Sequence, residues 1–422
     1  MATKIPHCKW IATSGESDWT AAASWNPNGV PNGDVEATFQ NAGTFQCDIT
    51  TAVDVQALEV KVAGATLMES AAGSITAVDL IMTAGTIALN GTNSFHDVEI
   101  TGAKAVIGAA NIWGACQRVF FTDAAVEFTD SQTYHYAFSG IGETMLGVTA
   151  GHTVDFAGDW ALGNHAPAEL QLGSATDTGT IKLAGKSFFL TPESDLTIDV
   201  AGGTVMSGSN VADVLARDMF EAASAVTIES GALLDLSAFG TAINLTGLTG
   251  EGMIKSPTYI ELTLSDAHFG GAFSNTAQII AEGSNTLYAA FNGAKVMMGA
   301  GADTLDISQA TGQVTVSAPD GSSATVVAGP STAVYFTDFS EGHVTAEVLG
   351  AADGTLSFVA GNHFTRVVVH DHGVRANLYL YDVTESQIHS ADDGHGNLLI
   401  TAAAADIAAH QSFVPMPHDA WG

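Results

Sequence analysis

Two short segments near the C-terminal end combine residue types that bind metal ions. The turn Asp392-Asp393-Gly394-His395-Gly396-Asn397 places carboxylate and amide oxygens close together, and such oxygens are the ligands that Ca²⁺ prefers. In an extended His370-Asp371-His372, both imidazoles would lie on one side, and imidazole suits Zn, Cu or Ni. We predict Asp392 and Asp393 as calcium ligands, and His370 and His372 as transition-metal ligands without an identifiable third ligand. A hydrated hairpin loop and surface histidines are the alternative interpretations.

A third acidic segment contains a glycine corner. Gly299-Ala300-Gly301-Ala302-Asp303-Thr304-Leu305-Asp306 resembles one nonapeptide, G-G-x-G-x-D-x-U-x, of the calcium-binding type I secreted (RTX-type) proteins, with Met298 at the first glycine. In that family, backbone carbonyls and the aspartate converge on Ca²⁺ between successive turns. The resemblance implies Asp303 as a ligand and carbonyl ligands at Gly299 and Gly301, with Asp306 as a further candidate. The family uses tandem copies and one good copy stands here, so a metal-free glycine corner is the alternative.

Catalysis is the less favoured interpretation. Right-handed β-solenoids include polysaccharide lyases and hydrolases, whose sites need paired carboxylates, or a basic residue next to a uronate. Lys and Arg are scarce, although Arg366 and Arg375 lie near each other in the sequence. No Ser-His-Asp arrangement, phosphate-binding loop or H-E-x-x-H helix is recognisable. We expect a non-enzymatic protein, with a glycan-degrading β-helix enzyme as an alternative.

The charge balance restricts the partners. Only 12 Lys and Arg stand against 45 Asp and Glu, which gives a formal net charge of −33. Nucleic acid and an anionic membrane surface are therefore excluded as expected partners, and a polyanionic substrate would be repelled. The balance favours divalent cations, or an assembly whose like charges are neutralised by bound ions. No segment is typical of a membrane span or a secretory signal peptide, and the three cysteines do not indicate a disulfide framework.

A repeat indicates the scaffold that positions these residues. Leu58-Glu59-Val60, Val78-Asp79-Leu80 and Val98-Glu99-Ile100 recur every 20 residues, and Val119-Phe120-Phe121 is a fourth copy without the acid. Each triplet is followed by a glycine corner and a second short strand. An acid between two apolar residues is typical of a strand with one buried face. We predict an all-β fold, a parallel β-solenoid, β-helix or β-roll with rungs of about 20 residues.

The first 50 residues are rich in tryptophan and turn formers. The run Trp10…Trp19…Ser24-Trp25-Asn26-Pro27…Val30-Pro31…Gly33-Asp34 resembles the opening of bacterial and phage β-solenoid surface proteins. Trp10, Trp19 and Trp25 are predicted to cover the first open rung, because an uncapped edge invites pairing with other chains. The resemblance implies architecture rather than activity.

The predicted organisation has five segments. They are an N-terminal cap at 1–50, a β-solenoid at 51–209, a short helical insertion at 210–224, a second solenoid or β-roll tract at 225–400, and a C-terminal tail at 401–422.

We therefore expect a structural surface protein: a surface-layer, extracellular filament or adhesin component that self-associates through repeated β faces, with Ca²⁺ as a bridging ion. Its further partner would be a glycan or a host or cell surface, without membrane insertion. It would reach the exterior by a signal-independent route. A phage tail fibre, spike or capsid-decoration protein, carried in the virion, is the alternative.

Overall fold

A computed structural model gives the architecture of the chain. It describes residues 6–108, 118–163, 167–208, 213–238, 242–255, 261–274, 278–288, 294–299, 301–310, 312–318, 322–329, 332–339, 344–372 and 374–403. The chain divides into two compact units, Met1–Ala277 and Gln278–Gly422. The five predicted segments are a finer division and stay a prediction, and most of the predicted tail lies outside the described residues.

The fold is nearly all β, and parallel coils stack into a β-solenoid of about 13 turns with about 21 residues per rung. This confirms the predicted fold class. The described strands of unit 1 are β1 His7–Trp10, β2 Ser14–Asp18, β3 Trp25–Asn26, β4 Gly33–Phe39, β5 Thr44–Ile49, β6 Ala52–Val60, β7 Ala65–Glu69, β8 Ser74–Met82, β9 Thr86–Leu89, β10 Ser94–Thr101, β11 Lys104–Ile107, β12 Arg118–Thr122, β13 Ala125–Phe128, β14 Gln132–Tyr134, β15 Phe138–Val148, β16 Thr153–Phe156, β17 Trp160–Leu162, β18 Ala168–Leu172, β19 Thr180–Leu183, β20 Phe188–Leu190, β21 Leu196–Val200, β22 Thr204–Ser207, β23 Ala225–Ile228, β24 Leu233–Asp235, β25 Ile243–Thr246, β26 Leu248–Gly250, β27 Met253–Lys255, β28 Glu261–Ser265, β29 His268–Phe269 and β30 Ala272–Ser274.

The strands of unit 1 stack into three principal sheets. Sheet I contains β1, β4, β6, β8, β10, β12, β17 and β20, and sheet II runs from β2 and β5 through β21 and β23 to β29. Strand β15 turns a corner, because its first half pairs with β12 in sheet I and its second half with β13 in sheet II. From β14 onward a third strand is added to each rung, which forms sheet III. Rung length therefore varies along the unit: register partners are 28 residues apart from Trp160 to Phe188 but 20 apart from Leu233 to Met253.

Alternation explains why these segments form strands. In β6, Val53, Val55, Leu58 and Val60 are buried, while Asp54 and Glu59 point outward. Successive side chains of a strand point to opposite faces, so the apolar set fills the interior. Fully burying each such side chain stabilises the fold by roughly 1.5–3 kcal/mol. The interior is therefore mainly apolar, and most polar residues lie on the outer faces.

The pairing register corrects the alignment of the sequence triplets. Leu58 pairs with Leu80, Leu80 with Val98, and Val98 with Val119. The second copy is therefore Leu80-Ile81-Met82, and Val78-Asp79-Leu80 is shifted by two positions. The alternation of β8 breaks at Val78 and Asp79, neither of which is buried, so this triplet does not begin with a buried residue as those at Leu58 and Val98 do. Asp79 consequently lies next to Asp97 rather than Glu99.

The predicted short helix is present as α1, Leu215–Ala222. Its buried side chains, Leu215, Met219 and Phe220, face the interior, and its N-cap residue is Val214. The helix lies between a sheet III strand, β22, and a sheet II strand, β23, which is the place that sheet I strands occupy in preceding rungs. It therefore closes one side of a rung instead of a strand. A separate single 3₁₀ turn, Ala22–Ser24, precedes β3.

The strands of unit 2 lie in two sheets, called IV and V. Its described strands are β31 Gln278–Glu282, β32 Thr286–Leu287, β33 Lys295–Met298, β34 Gly301–Ile307, β35 Gly312–Ser317, β36 Ser322–Ala328, β37 Thr332–Phe336, β38 Val344–Val348, β39 Thr355–Ala360, β40 Phe364–Asp371, β41 Val374–Tyr381, β42 Ile388–Asp392 and β43 Leu398–Ala402, with a 3₁₀ turn at Glu385–Gln387.

The parallel stacking of unit 2 gives way to antiparallel strands. In sheet IV, β32, β34, β36 and β38 are parallel, and β43 and β42 follow antiparallel. In sheet V, β31, β33, β35, β37 and β41 are parallel, and β40 and β39 follow antiparallel. An antiparallel strand covers the last parallel rung of each sheet.

Candidate functional site

The aspartate of the predicted calcium corner points into the fold. Asp303, on β34, is only 3% exposed. Its Oδ1 accepts hydrogen bonds from the backbone N–H and the side-chain Nδ2 of Asn285, at 2.9 and 3.0 Å. Its Oδ2 is buried without a hydrogen-bond partner among the described residues. Burial raises the pKa of this carboxyl group.

The neighbouring predicted ligands have structural contacts. The Gly299 N–H donates to the Ala281 carbonyl at 2.6 Å. A Cβ at Gly301 would lie 1.8 Å from the Gly283 carbonyl oxygen, so only glycine allows the two rungs to approach there. Asp306 Oδ1 accepts a hydrogen bond from the Ser308 N–H at 2.9 Å, which closes a local turn.

These contacts bear on the fit of Ca²⁺ at the corner. In the register, Ala324 lies beside Asp303 on the next rung, and the Asn285 amide donates to Asp303 from the preceding one. Ca²⁺ takes roughly 6–8 oxygen ligands and is usually held by several carboxylates. The described register neighbours of Asp303, Asn285 on the preceding rung and Ala324 on the next, carry no carboxylate, and the calcium assignment of this corner stays a prediction.

The Asp392–Asn397 segment forms the loop of the β42–β43 hairpin. Asp392 Oδ1 accepts from the Gly394 N–H at 2.8 Å, and Asp393 Oδ1 accepts from the N–H groups of His395 and Asn397 at 2.6 and 3.0 Å. The hydrogen bond from the Asn397 N–H is the main cause that lowers the pKa of Asp393. Both carboxylates therefore hold the loop conformation.

The two histidines predicted to bind a transition metal separate at a turn. His370 lies on β40 with its Nε2 3.3 Å from Ser357 Oγ, whereas His372 lies in the turn before β41 with Nδ1 2.5 Å from Asp371 Oδ1. The backbone φ of His372 is +29°, so the extended geometry assumed from the sequence is wrong here. Within the described ranges, no group of three or more His, Cys, Asp or Glu side chains could hold a metal ion.

The three predicted cap tryptophans are buried together in the first rungs. The ring centroids of Trp10 and Trp25 are 5.0 Å apart, and those of Trp19 and Trp25 are 4.7 Å apart. All three pack on Phe39. The Trp25 indole N–H donates to the Trp19 carbonyl at 2.9 Å, and β3 pairs antiparallel with β1. The rings lie in the interior of the first rungs, and backbone strand β3 lies along the edge of β1.

A buried acid in unit 1, which sequence reasoning missed, repeats the design at Asp303. Glu69 is 2% exposed, and its Oε2 accepts from the Gly91 N–H and from Asn93 Nδ2, both at 2.8 Å. Asn93 Oδ1 accepts from the Ile75 N–H at 2.7 Å. Burial raises the pKa of Glu69. The sequence does indicate this burial, because Glu69 lies two and four positions after Leu67 and Ala65 and therefore shares their inward face of β7.

A second missed feature is an acidic depression on sheet I. Asp79 and Asp97 are register neighbours, and Glu99 and Arg118 lie beside them around a cavity of about 250 Å³. The Arg118 Nη2 is 3.4 Å from Asp97 Oδ2. Burial, and then the charge of Asp97, raise the pKa of Asp79. A pair of neighbouring carboxylates is the arrangement that glycoside hydrolysis uses.

A third missed feature is the outer face of sheet V. The rings of Tyr335 and Tyr379 stack with centroids 4.3 Å apart and an interplanar angle of 2°. The Arg366 guanidinium lies 5.6 Å from the Tyr379 centroid and donates two hydrogen bonds to Asn377 Oδ1 at 2.7 and 3.2 Å. Burial and neighbouring Tyr379 raise the pKa of Tyr335. Half-buried aromatic rings beside planar polar groups are typical of amphipathic binding surfaces.

Comparison with models of known protein families gave no match, and no curated protein or solved structure matched the chain. Among the described residues, no helix has the length and apolar character needed to span a membrane.

Proposed function

We propose that this chain is a non-enzymatic structural protein of a surface, a surface-layer, filament or adhesin component that self-associates through its outer β faces. The observation that carries this proposal is the separation of apolar inward positions from polar outward positions in the rungs. Inward positions are mainly apolar, and outward positions on the same strands carry Thr, Ser, Asn and acids. Such faces repeat from rung to rung, as expected for a scaffold that presents the same chemistry many times.

Ca²⁺ enters the proposal as a bridge between copies. A net charge of −33 opposes close packing of identical subunits unless cations neutralise the facing carboxylates. Outward acids such as Asp79, Asp97 and Glu99 are accessible to an ion from solvent, in contrast to buried Asp303. Location at a cell surface, or in a virion as a tail fibre, spike or decoration protein, is compatible with the same assembly chemistry.

Electron microscopy and light scattering of the purified chain, with millimolar Ca²⁺ or with a calcium chelator, test this proposal. We expect particles of many copies with Ca²⁺, and their dispersal into single copies or small oligomers on chelation. A single-copy mass under both conditions at high protein concentration would overturn self-association. A mass that is large but indifferent to chelation would overturn the bridging role of Ca²⁺ only.

The acidic depression on sheet I favours a second candidate, a hydrolase of neutral glycans. Asp79, with its raised pKa, would donate a proton, and Asp97, whose Oδ2 lies 3.4 Å from Arg118 Nη2, would be the second carboxylate of the pair. The test is release of reducing ends from a panel of neutral glycans by the wild-type chain and by Asp79→Asn. Activity in the wild type that is lost in the variant would replace the structural proposal by this one.

A further inference from the structure

Sheet V ends on a strand with one open edge. β39 pairs antiparallel with β40, and among the described residues no strand pairs with its other edge. The Gly361 N–H donates to the Phe364 carbonyl at 2.8 Å, which marks one hydrogen-bonded position of this ladder. Because such positions alternate along an antiparallel pair, the amide groups of Leu356, Phe358 and Ala360 point to the open edge. A row of unpaired groups of this kind is a template for another strand.

The composition of β39 does nothing to prevent such pairing. Its sequence, Thr-Leu-Ser-Phe-Val-Ala, contains no charge and no proline, and Val359 is 52% exposed. Two other strands that have a single described neighbour are β42, Ile-His-Ser-Ala-Asp, and β2, Ser-Gly-Glu-Ser-Asp. Both carry acids, which discourage pairing at an edge. Among these three edges, β39 is the one without a charge.

The net charge also favours an uncharged surface as the place where two copies of this chain come into contact. At −33, most surfaces of identical copies repel each other. An uncharged strand lets two backbones come within about 4.8 Å, the spacing of neighbouring strands, without bringing carboxylates together along the strand.

We propose that β39 of one copy pairs antiparallel with β39 of a second copy, joining two sheets V across a two-fold axis. This inference rests on the proposed self-association and specifies one interface of it. A two-fold axis perpendicular to the sheet keeps each side chain on its own face of the sheet. The axis therefore lies midway between one residue and the same residue of the second copy. Centring it on Phe358 lets Leu356, Phe358 and Ala360 all use their outward amide groups. Ser357 then lies opposite Val359 of the second copy, and Phe358 lies opposite its own counterpart.

The space beside the strand suits this register. A cleft of about 330 Å³ borders β39, and its lining includes the apolar residues Phe358, Ala360, Phe364 and Val383 together with polar residues such as Asp382 and Glu385. In the proposed pair, Leu356 of the second copy lies opposite Ala360, at the wall of this cleft. An apolar side chain entering it would add burial to the backbone hydrogen bonds. The two Phe358 rings would form a cross-strand aromatic pair on the same face.

The first test uses charge at two exposed positions. Ser357→Lys with Val359→Lys places lysine opposite lysine at both sites, whereas Ser357→Lys with Val359→Glu places lysine opposite glutamate. We expect the dissociation constant of the dimer, measured by analytical ultracentrifugation without Ca²⁺, to rise by roughly tenfold or more in the first variant. The second variant should stay near the wild type. Ser390→Lys, on exposed strand β42, is the control and should change nothing.

The second test determines the register. Ser357→Cys and Val359→Cys are prepared separately, mixed and oxidised, and the disulfide is located by mass spectrometry. In the proposed pair these positions have Cα atoms about 4.5 Å apart, which a disulfide can span. The mixture should cross-link faster than either variant alone.

The outcomes separate the inference from the proposed function. Self-association that both lysine and glutamate variants leave unchanged, without cross-linking in the mixture, overturns pairing through β39 and leaves assembly through other faces intact. A wild-type chain that stays a single copy with and without Ca²⁺ overturns both.

Discussion

Removal of one ring from the tryptophan cluster should unfold the first rungs while leaving later rungs in place. Trp25 is 1% exposed and contacts Trp10, Trp19 and Phe39. Truncating a buried aromatic residue to alanine costs about 3–5 kcal/mol. In addition, Trp25→Ala removes the indole donor of the buried Trp19 carbonyl, and an unsatisfied buried group costs about 1–3 kcal/mol. The total approaches the stability of a whole small domain.

In a solenoid, this loss of stability should stay confined to the rungs near the substitution, since each rung contacts mainly its neighbours. In hydrogen exchange, the amides of β4 and β5 should exchange at least roughly a hundredfold faster in Trp25→Ala, and those of β21 should not change. Trp25→Phe keeps a ring and loses the hydrogen bond, so it should fall between wild type and alanine. Phe189→Ala removes an aromatic side chain that is 57% exposed and serves as the control. Equal effects of Trp25→Ala and Phe189→Ala, or faster exchange throughout unit 1, would refute the local cap.

Three further predictions concern corners of the rungs. Burial raises the folded-state pKa of Glu69, so its stabilising contribution is complete below the ordinary value of 4.5 and is lost as the pH rises above it. In urea unfolding, Glu69→Gln should therefore lose less stability than the wild type between pH 4.5 and 7. Plots of unfolding free energy against pH that run parallel for the two proteins would contradict this. Gly64→Ala should lower the free energy of unfolding by about 1–3 kcal/mol, because its Cβ would lie 2.1 Å from the Gly43 carbonyl oxygen, whereas Gly29→Ala, with nothing within 4 Å, should be neutral. Asp303→Asn should leave any Ca²⁺-dependent shift of the melting temperature unchanged, since Asp303 is buried against Asn285. Loss of that shift would identify the corner as a calcium site.

The scaffold was readable from the sequence because its signals are local and repeated. A period near 20 residues, alternation in each strand and glycine corners all follow from the geometry of a rung. The register was less readable, since the irregularity at Val78 leaves the spacing of the acids almost unchanged. The change to antiparallel pairing after β38 was also missed, because β40 and β41 alternate like every parallel strand before them.

The candidate sites depended on longer-range information. Asp303 and Glu69 find their asparagine partners 18 and 24 residues away, and the direction of each pair depends on how rungs stack. The nonapeptide pattern identified Asp303 as an unusual residue but not its inward orientation. Tyr335 and Tyr379 are 44 residues apart and meet only because the β39–β40 hairpin is inserted between their strands. Sequence spacing alone gives no access to that contact.

The unequal rungs of unit 1 have a consequence for folding fidelity. Ala77 lies 22 residues after its partner Val55, Trp160 lies 22 after Phe138, and Phe188 lies 28 after Trp160. If a segment stacked one full rung out of register while the chain folds, some of its connecting loops would be too short to reach their positions and others would be too long. Such a shift would also separate Lys182 from Asp155 and Lys255 from Asp235, which meet across adjacent coils at 2.5 and 2.8 Å. Unequal rung lengths therefore specify a single stacking register in a repetitive fold, because each rung fits only against its own neighbours.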